Sequence, residues 1–269
     1  MGALVKLGST TLSVPVVVFG RSLFVAVGST ILLFFGHTRA KATNRKLMWL
    51  RSASGFSAMC LYFYSISHVP LANAVTLQYS SPIFVAWFAG PFLNEHTPRS
   101  AWVWFVIAFC GVLFLLAPDL QRFDLHAIAA VGSAALSAIA YLSVRGMRES
   151  DHPDTIVYNF AVFSLVASIP GLAWIERLPT FSEWLILFGV GAFATMGQAL
   201  MTRAYRYSDA SYVSAFSYVT VLFSAGYSLW VFEEQLPATA ALGTAFIVVG
   251  GTALSWIGRS SKKVSGIGN

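Results

Sequence analysis

The chain contains two copies of one segment, offset by 139 residues. The shift aligns Glu95 with Glu234, Pro98 with Pro237, Tyr79 with Tyr218, Phe84 with Phe223, Ala101 with Ala240, Gly111 with Gly250 and Leu115 with Leu254. Each copy is a series of apolar stretches, which indicates a duplicated bundle of membrane-spanning helices. An odd number of spans per copy makes the second copy enter the membrane from the opposite side. Many secondary transporters are built from such inverted repeats, with the substrate site between the halves.

Composition excludes an ordinary soluble domain. Hydrophobic residues make up 57% of the chain and charged residues 10%, and the mean hydropathy is +0.69, outside the range of soluble proteins. The two cysteines, Cys60 and Cys110, lie in apolar segments without a CxxC motif or nearby histidine ligands. We therefore expect them to pack between helices, and we expect no disulfide, no metal site and no cofactor.

Nine stretches of 18 to 23 residues have the length and composition of spans, since about 20 residues cross a ~30 Å hydrocarbon core. The alternating segments typical of a β-barrel are absent. The nine predicted spans are Val14–Gly36, Leu47–Ser67, Leu71–Leu93, Ser100–Ala117, Leu125–Val144, Thr155–Ile175, Trp184–Thr202, Ala210–Phe232 and Ala238–Ile257. The sequence therefore predicts an all-α integral membrane protein.

The first eight residues are apolar but would reach only about 12 Å as a helix. The repeat makes Met1–Gly8 equivalent to the end of the Leu125–Val144 span, so we expect it to be the last third of a first helix. This predicts a ten-helix bundle whose first helix is short through truncation or a mis-called start. The predicted units are residues 1–118 and 125–258, each a five-helix copy, and a basic tail over 259–269.

The distribution of basic residues predicts the orientation. With the amino end in the cytoplasm, two basic residues lie outside (Arg122, Arg177), two lie within spans (Lys6, Arg21), and the cytoplasmic set is Arg39, Lys41, Arg45, Lys46, Arg51, Arg99, Arg145, Arg148, Arg203, Arg206, Arg259, Lys262 and Lys263. This bias follows the positive-inside rule and predicts an inner-membrane protein with a cytoplasmic C-terminus. Because these cations are spread over membrane hairpins, a nucleic-acid partner is not expected.

Several short motifs resemble the EamA-domain carriers of the drug/metabolite transporter superfamily, over essentially the whole chain. They are Ala3-Leu4-Val5-Lys6, Pro15, Phe19-Gly20-Arg21-Ser22, Leu50-Arg51, Tyr64 with Ser67-His68-Val69-Pro70-Leu71-Ala72-Asn73-Ala74, Ser81-Pro82-Ile83-Phe84, Leu93-Asn94-Glu95, Gly111-Val112-Leu113, Tyr207-Ser208-Asp209-Ala210, Phe232-Glu233-Glu234 and Gly250-Gly251. The resemblance implies two inverted five-helix repeats that move small metabolites by alternating access. It also implies that the fifth and tenth helices lie outside the substrate cavity.

Ionisable residues inside a span are costly, so Lys6 and Arg21 are the leading candidates for substrate binding. An arginine can present a bidentate fork to a carboxylate or phosphate. The alternative for Arg21 is that its side chain reaches back to the outer membrane interface or caps helix carbonyls. No acidic residue falls near the middle of a span. The sequence therefore favours an exchanger or facilitator over a strict proton antiporter, and an anionic or zwitterionic substrate such as an amino acid.

Neutral polar residues inside spans are weaker candidates, because hydrogen bonds between helices explain most of them. Two pairs, Gln78–Tyr79 and Ser217–Tyr218, match through the repeat. Gln198 lies deep in its span. Asn159 follows Pro153 by six residues, as Arg21 follows Pro15, which makes it the apparent repeat equivalent of Arg21. Tyr62 and Tyr64 could stack on a substrate ring, although aromatic packing is the commoner role.

Glu95 and Glu234 each precede a helix-opening proline, so we expect them to stabilise the positive helix N-terminus. Gly111, Gly250 and Gly251 are expected to allow close helix approach. The five histidines form no catalytic or metal-binding pattern with other residues, and an enzyme is not expected. The alternative to a transporter is a passive channel or a lipid-handling membrane protein. The oligomeric state cannot be derived from these patterns.

Overall fold

The computed structural model describes residues 2–9, 11–68, 71–95, 97–116, 125–174, 177–223 and 239–265, and every regular element within these ranges is helical. The prediction of an all-α protein is therefore confirmed. The helices are α1 (Gly2–Gly8), α2 (Val14–Phe35), α3 (Arg45–His68), α4 (Leu71–Gln78), α5 (Ser81–Leu93), α6 (Arg99–Leu116), α7 (Leu125–Gly146), α8 (Pro153–Ser168), α9 (Phe181–Tyr207), α10 (Ala210–Ala215) and α11 (Ala240–Ser265). A 3-10 helix, Ile169–Trp174, continues α8, and helix resumes after α10 over 217–223.

Four segments of the described residues are long and apolar enough to cross a membrane: Val14–Phe35, Ile128–Gly146, Pro153–Ala173 and Phe181–Tyr207. Three shorter apolar helices cover Arg99–Leu115, Ala210–Phe223 and Ala241–Leu254. In lipid, a segment must satisfy its own backbone hydrogen bonds, so apolar runs of this kind adopt helices. Cys60 and Cys110 are both free, and both lie within helices.

One predicted span, Leu71–Leu93, is two helices rather than one kinked helix. α4 ends at Gln78, and α5 begins at Ser81 with Pro82 in its first turn. Proline lacks an N–H, and its ring excludes the carbonyl four residues earlier, so the helix breaks here. The break falls at the polar residues that precede Pro82.

The predicted span Ala210–Phe232 is also interrupted, at Phe216, and its part beyond residue 223 lies outside the described residues. No proline causes this interruption. The Ser217 hydroxyl donates to the Ser214 carbonyl at 2.6 Å, and the Ser214 hydroxyl donates to the Ser211 carbonyl at 2.8 Å. Serine side chains that bond to preceding carbonyls compete with the helical ladder and bend helices.

Helices that the 139-residue offset makes equivalent pack against each other. α2 packs against its equivalent α8, and α6 packs against its equivalent α11. The contact of α1 with α9 is in turn equivalent to the contact of α7 with α3. The crossing of α6 and α11 is close: a Cβ atom on Gly111 would meet the Gly243 carbonyl at 2.8 Å, and one on Gly250 would meet Ala108 at 2.9 Å. Close approach is thus confirmed for Gly111 and Gly250. The expectation for Gly251 was wrong, because a Cβ there would meet open space.

An ionic cluster, here called the Arg145 cluster, joins the ends of α5, α7 and α9 to the start of α10. Arg145 donates to Glu95 at 2.7 Å and to Asp209 at 2.8 Å. The second Glu95 oxygen accepts from the Ala210 backbone N–H at 2.9 Å. Glu95 therefore stabilises a helix N-terminus, as expected, but that of α10 in the other copy rather than that of α6. Glu234 lies outside the described residues.

At the opposite end of α9, the Glu183 carboxylate accepts two hydrogen bonds from Arg177, at 2.7 and 2.8 Å, and one from the Thr180 backbone N–H. These bonds raise the pKa of Arg177. Arg177 also donates to the Thr11 carbonyl at 3.2 Å, which attaches the start of α9 to the turn between α1 and α2.

Candidate substrate site

A cavity of about 770 Å³ lies among helices of both copies of the repeat. The first copy contributes residues of α2, α3 and the α4–α5 break, and the second contributes residues of α7, α8, α9 and α10. The volume falls in the range of small-molecule sites, which are mostly apolar with a few placed polar groups. The cavity wall has this composition, with Met59, Phe63, Phe160 and Met201 among its apolar members.

Five of the eight predicted site residues line this one cavity: Arg21, Gln78, Tyr79, Gln198 and Ser217. They come from four different segments of the chain. The proline break between α4 and α5 places Gln78 and Tyr79 on the wall, and the serine-rich interruption after α10 places Ser217 near them.

Arg21 is buried, with 3% of its surface exposed. Its Nη1 donates to the Met59 sulfur at 2.8 Å, and its Nε has no partner among the described residues. A thioether is a weak acceptor, so this guanidinium keeps hydrogen-bonding capacity that its protein surroundings do not use. The contact with Met59 directs Arg21 towards the interior of the bundle rather than towards the membrane interface.

Polar groups with unused hydrogen-bonding capacity also surround the α4–α5 break. Gln78 donates to the Ser137 hydroxyl at 3.1 Å, while its carbonyl oxygen is buried without a partner in the described part of the chain. The ring of Tyr79 lies 6.4 Å from that of Tyr218. Tyr218 itself is fully buried behind the cavity wall, so the repeat-matched pair divides into one lining residue and one packing residue.

Asn159 does not lie among the residues that line the cavity. Its amide donates to the carbonyls of Ala40 and Thr155, both at 2.8 Å, and so holds the loop between α2 and α3 against α8. The 139-residue offset pairs Arg21 with Phe160, not with Asn159, and Phe160 is the residue that lines the cavity. The pairing based on proline spacing was therefore wrong by one residue. The Lys6 side chain lies outside the described residues.

Sequence reasoning missed Arg51, which it counted among the cytoplasmic cations. Arg51 has 2% of its surface exposed and lines the cavity. It donates to the Gln198 side chain at 2.7 Å and lies over the Phe160 ring at 4.0 Å. A Cβ on Gly55 would collide with its Nη1, so this glycine makes room for the guanidinium. The available signal was its position, four residues inside the predicted Leu47–Ser67 span.

Tyrosines supply much of the remaining polar lining. Tyr141 and Tyr205 stack with ring centroids 5.5 Å apart, and Tyr62 and Tyr79 complete the set. Of these, only Tyr62 and Tyr79 were considered from the sequence. Tyrosine rings offer apolar area and a hydroxyl that can meet a polar substrate group. Tyr64, the other tyrosine considered for stacking, is exposed and packs against His68 and His126 away from this cavity.

The charged residues in the described lining of the cavity are all basic: it contains two arginines and no aspartate or glutamate. The acidic groups that the structure describes are engaged elsewhere, for example Glu95 in the Arg145 cluster and Glu183 with Arg177. The described wall thus favours an anionic group and offers no carboxylate to carry a proton.

Residues 1–117 and 125–256 both match the EamA-like transporter family. The chain belongs to this family. The resemblance drawn from the short motifs is thereby confirmed, and the chain is a multi-pass membrane protein of a transporter family rather than of an enzyme family.

Curated relatives of the chain carry transporter names. The pseudopaline exporter CntI of Pseudomonas aeruginosa is 31% identical over 262 residues, which cover 95% of this chain and 90% of the exporter. The S-adenosylmethionine uptake transporter of Rickettsia bellii is 24% identical and covers 82% and 76% of the two chains. The riboflavin transporter of Vibrio cholerae is 28% identical and covers 70% and 64%.

A solved crystal structure with 14% sequence identity matches with a TM-score of 0.83 over 96% of this chain and 92% of that chain. The two proteins therefore share a fold. The names of these relatives differ in substrate and include both an exporter and an uptake transporter, so a substrate must be argued from the cavity itself.

Proposed function

We propose that this protein is a secondary transporter that exchanges or facilitates the passage of small metabolites bearing an anionic group, alone or as part of a zwitterion. Arg21 carries this proposal, because it is a buried cation in the wall of the cavity with a weak sulfur acceptor as its hydrogen-bond partner. Leaving donors of a charged group unsatisfied in a buried site is costly. A carboxylate or phosphate could accept two parallel hydrogen bonds from the guanidinium.

The proposed architecture is a ten-helix bundle of two inverted five-helix repeats in the inner membrane, with the C-terminus in the cytoplasm. The pairing of α2 with α8 and of α6 with α11 supports it, since repeat-equivalent helices meet across the bundle. The cavity between the copies is then the substrate site, and rocking of one copy against the other would open it to each side in turn. The acid-free described lining supports exchange or facilitation over proton antiport.

The test is exchange by purified protein in liposomes, assayed against a panel of amino acids, organic acids, nucleosides and organic cations. Arg21→Ala should lower the apparent affinity for anionic substrates by about ten- to a hundredfold, the value of one buried charged interaction. Arg21→Lys should lose less, because the ammonium keeps the charge without the planar fork. Arg45→Ala removes an exposed arginine at the start of α3 and serves as the matched control.

All three variants should insert, since Arg21→Ala removes an intramembrane charge, which lowers the insertion cost, Arg21→Lys leaves the charge in place, and Arg45→Ala changes an exposed residue. Equal exchange by wild type and Arg21→Ala at matched protein content would contradict the role of Arg21. The polar groups around Gln78, Tyr79 and Ser217 would then become the leading site.

A further inference from the structure

Arg51 adds a second buried cation to the cavity, and only part of its hydrogen-bonding capacity is used by the described residues. One Nη atom donates a hydrogen bond to Gln198, and the guanidinium carbon lies over the Phe160 ring. Its Nε has no partner among the described residues. In this respect it matches Arg21, whose buried Nε likewise has no partner in the part of the chain that the structure describes.

The two arginines occupy related places in the duplicated fold. The 139-residue offset pairs Arg21 with Phe160 and Met59 with Gln198. Arg21 bonds to Met59, whereas Arg51 lies on Phe160 and bonds to Gln198. Arg51 thus reaches the position in the second copy that Arg21 holds in the first, and both cations line the cavity.

Both guanidiniums contact α3, and the positions of these contacts on the helix show how the two arginines are spaced along it. Arg51 extends along the helix to Gly55, and Arg21 contacts Met59, four residues further on. Four residues of α-helix rise about 6 Å, so the two α3 positions that the guanidiniums contact are about one helical turn apart. Two like charges in one mostly apolar cavity repel each other, and the described lining supplies no acid to compensate them.

We propose that the cavity binds a metabolite with two anionic groups, one held by Arg21 and the other by Arg51. This inference rests on the proposed transport function and narrows its substrate class. The aromatic and methionine wall accommodates the carbon skeleton that joins the two groups. Tyr141, Tyr205 and Ser137 also line the cavity and add hydroxyl groups to its wall.

Ligand-induced thermal stabilisation of the full-length protein in detergent tests the inference, with liposome exchange as the second measurement. The probes are succinate, glutarate, adipate and pimelate, each compared with its monomethyl ester, together with neutral amino acids. The diacids should bind about tenfold or more tightly than their half-esters, the value of one further charged contact. One intermediate chain length should bind best, because the cations stand at a set spacing.

Arg51→Gln should abolish the preference for diacid over half-ester while half-ester binding remains. Arg51→Lys should retain part of the preference, and it serves as the comparison if Arg51→Gln folds poorly. Arg45→Gln, an exposed arginine on the same helix, should leave the preference unchanged.

Equal binding of diacids and half-esters by the wild type would overturn the inference, as would an Arg51→Gln variant that weakens both ligands by the same factor. Exchange of amino acids or half-esters without diacids would refute the two-anion site and leave the proposed transport function intact. If no panel compound, neutral or charged, is bound or exchanged, the proposed function fails as well.

Discussion

Glu95→Gln should destabilise the protein by breaking the Arg145 cluster. The carboxylate accepts from Arg145 at 2.7 Å, from Arg148 at 3.3 Å and from the Ala210 backbone N–H at 2.9 Å. Only 8% of the Arg145 side chain is exposed, against 15% for Glu95, so the pair is largely removed from water. The amide of glutamine can still accept from Ala210, and the substitution therefore removes the charge while it keeps the helix cap.

Breaking a buried ion pair from one side costs about 3–5 kcal/mol. Arg145 keeps Asp209 at 2.8 Å and two backbone carbonyls at the end of α9, so the loss should lie near the lower bound, at about 3 kcal/mol. The free energy of unfolding can be measured by titrating detergent-solubilised protein with SDS. The Glu95→Gln/Arg145→Gln double variant should lose less than the sum of the single variants, since the two residues interact directly.

Glu149→Gln is the matched control. Glu149 also pairs with Arg148, at 3.3 Å, but its side chain is 86% exposed, and such surface pairs contribute about 0–1 kcal/mol. If Glu95→Gln costs no more than Glu149→Gln, or if the losses at Glu95 and Arg145 simply add, the cluster does not couple these helix ends and the reasoning is refuted.

Two further predictions concern helix packing and topology. Gly243→Ala should lower the free energy of unfolding by about 1–3 kcal/mol, because its Cβ would meet the backbone of α6. Gly251→Ala should leave it unchanged or raise it slightly, because a Cβ at this position faces open space. Equal SDS unfolding of the two variants would contradict this prediction. In a cysteine-free background, a cysteine at Arg122 should react with an impermeant maleimide in intact cells and one at Lys41 should not, because the basic bias predicts that the 37–46 loop is cytoplasmic. The reverse labelling pattern would overturn this orientation.

Much of the fold could be predicted from the sequence, because the evidence for a membrane helix is local. An apolar run must satisfy its own backbone groups in lipid, so each stretch identifies itself without reference to its neighbours. The break at Pro82 has an equally local cause, since proline cannot continue the helical ladder. The break at Phe216 was not expected, since it depends on serine rotamers that bond to nearby carbonyls.

The candidate site, too, could be predicted only where the evidence for it is local in sequence. Arg21 could be identified because a cation well inside an apolar run is costly wherever the run packs. Arg51 could not be separated from an interfacial cation, because its burial depends on Gln198, which is 147 residues away in sequence. Asn159 and Phe160 are adjacent in sequence, yet only Phe160 lines the cavity.

The sequence by itself determined that this protein is a duplicated bundle of membrane helices with a cation at Arg21 inside it. Only the tertiary structure decided that Arg51 joins Arg21 in one cavity, and that Glu95 caps a helix of the other copy. The physical reason is that the hydropathy of a segment is enough to make it a membrane helix. Which face of that helix points inward depends on its contacts with helices that are distant in sequence.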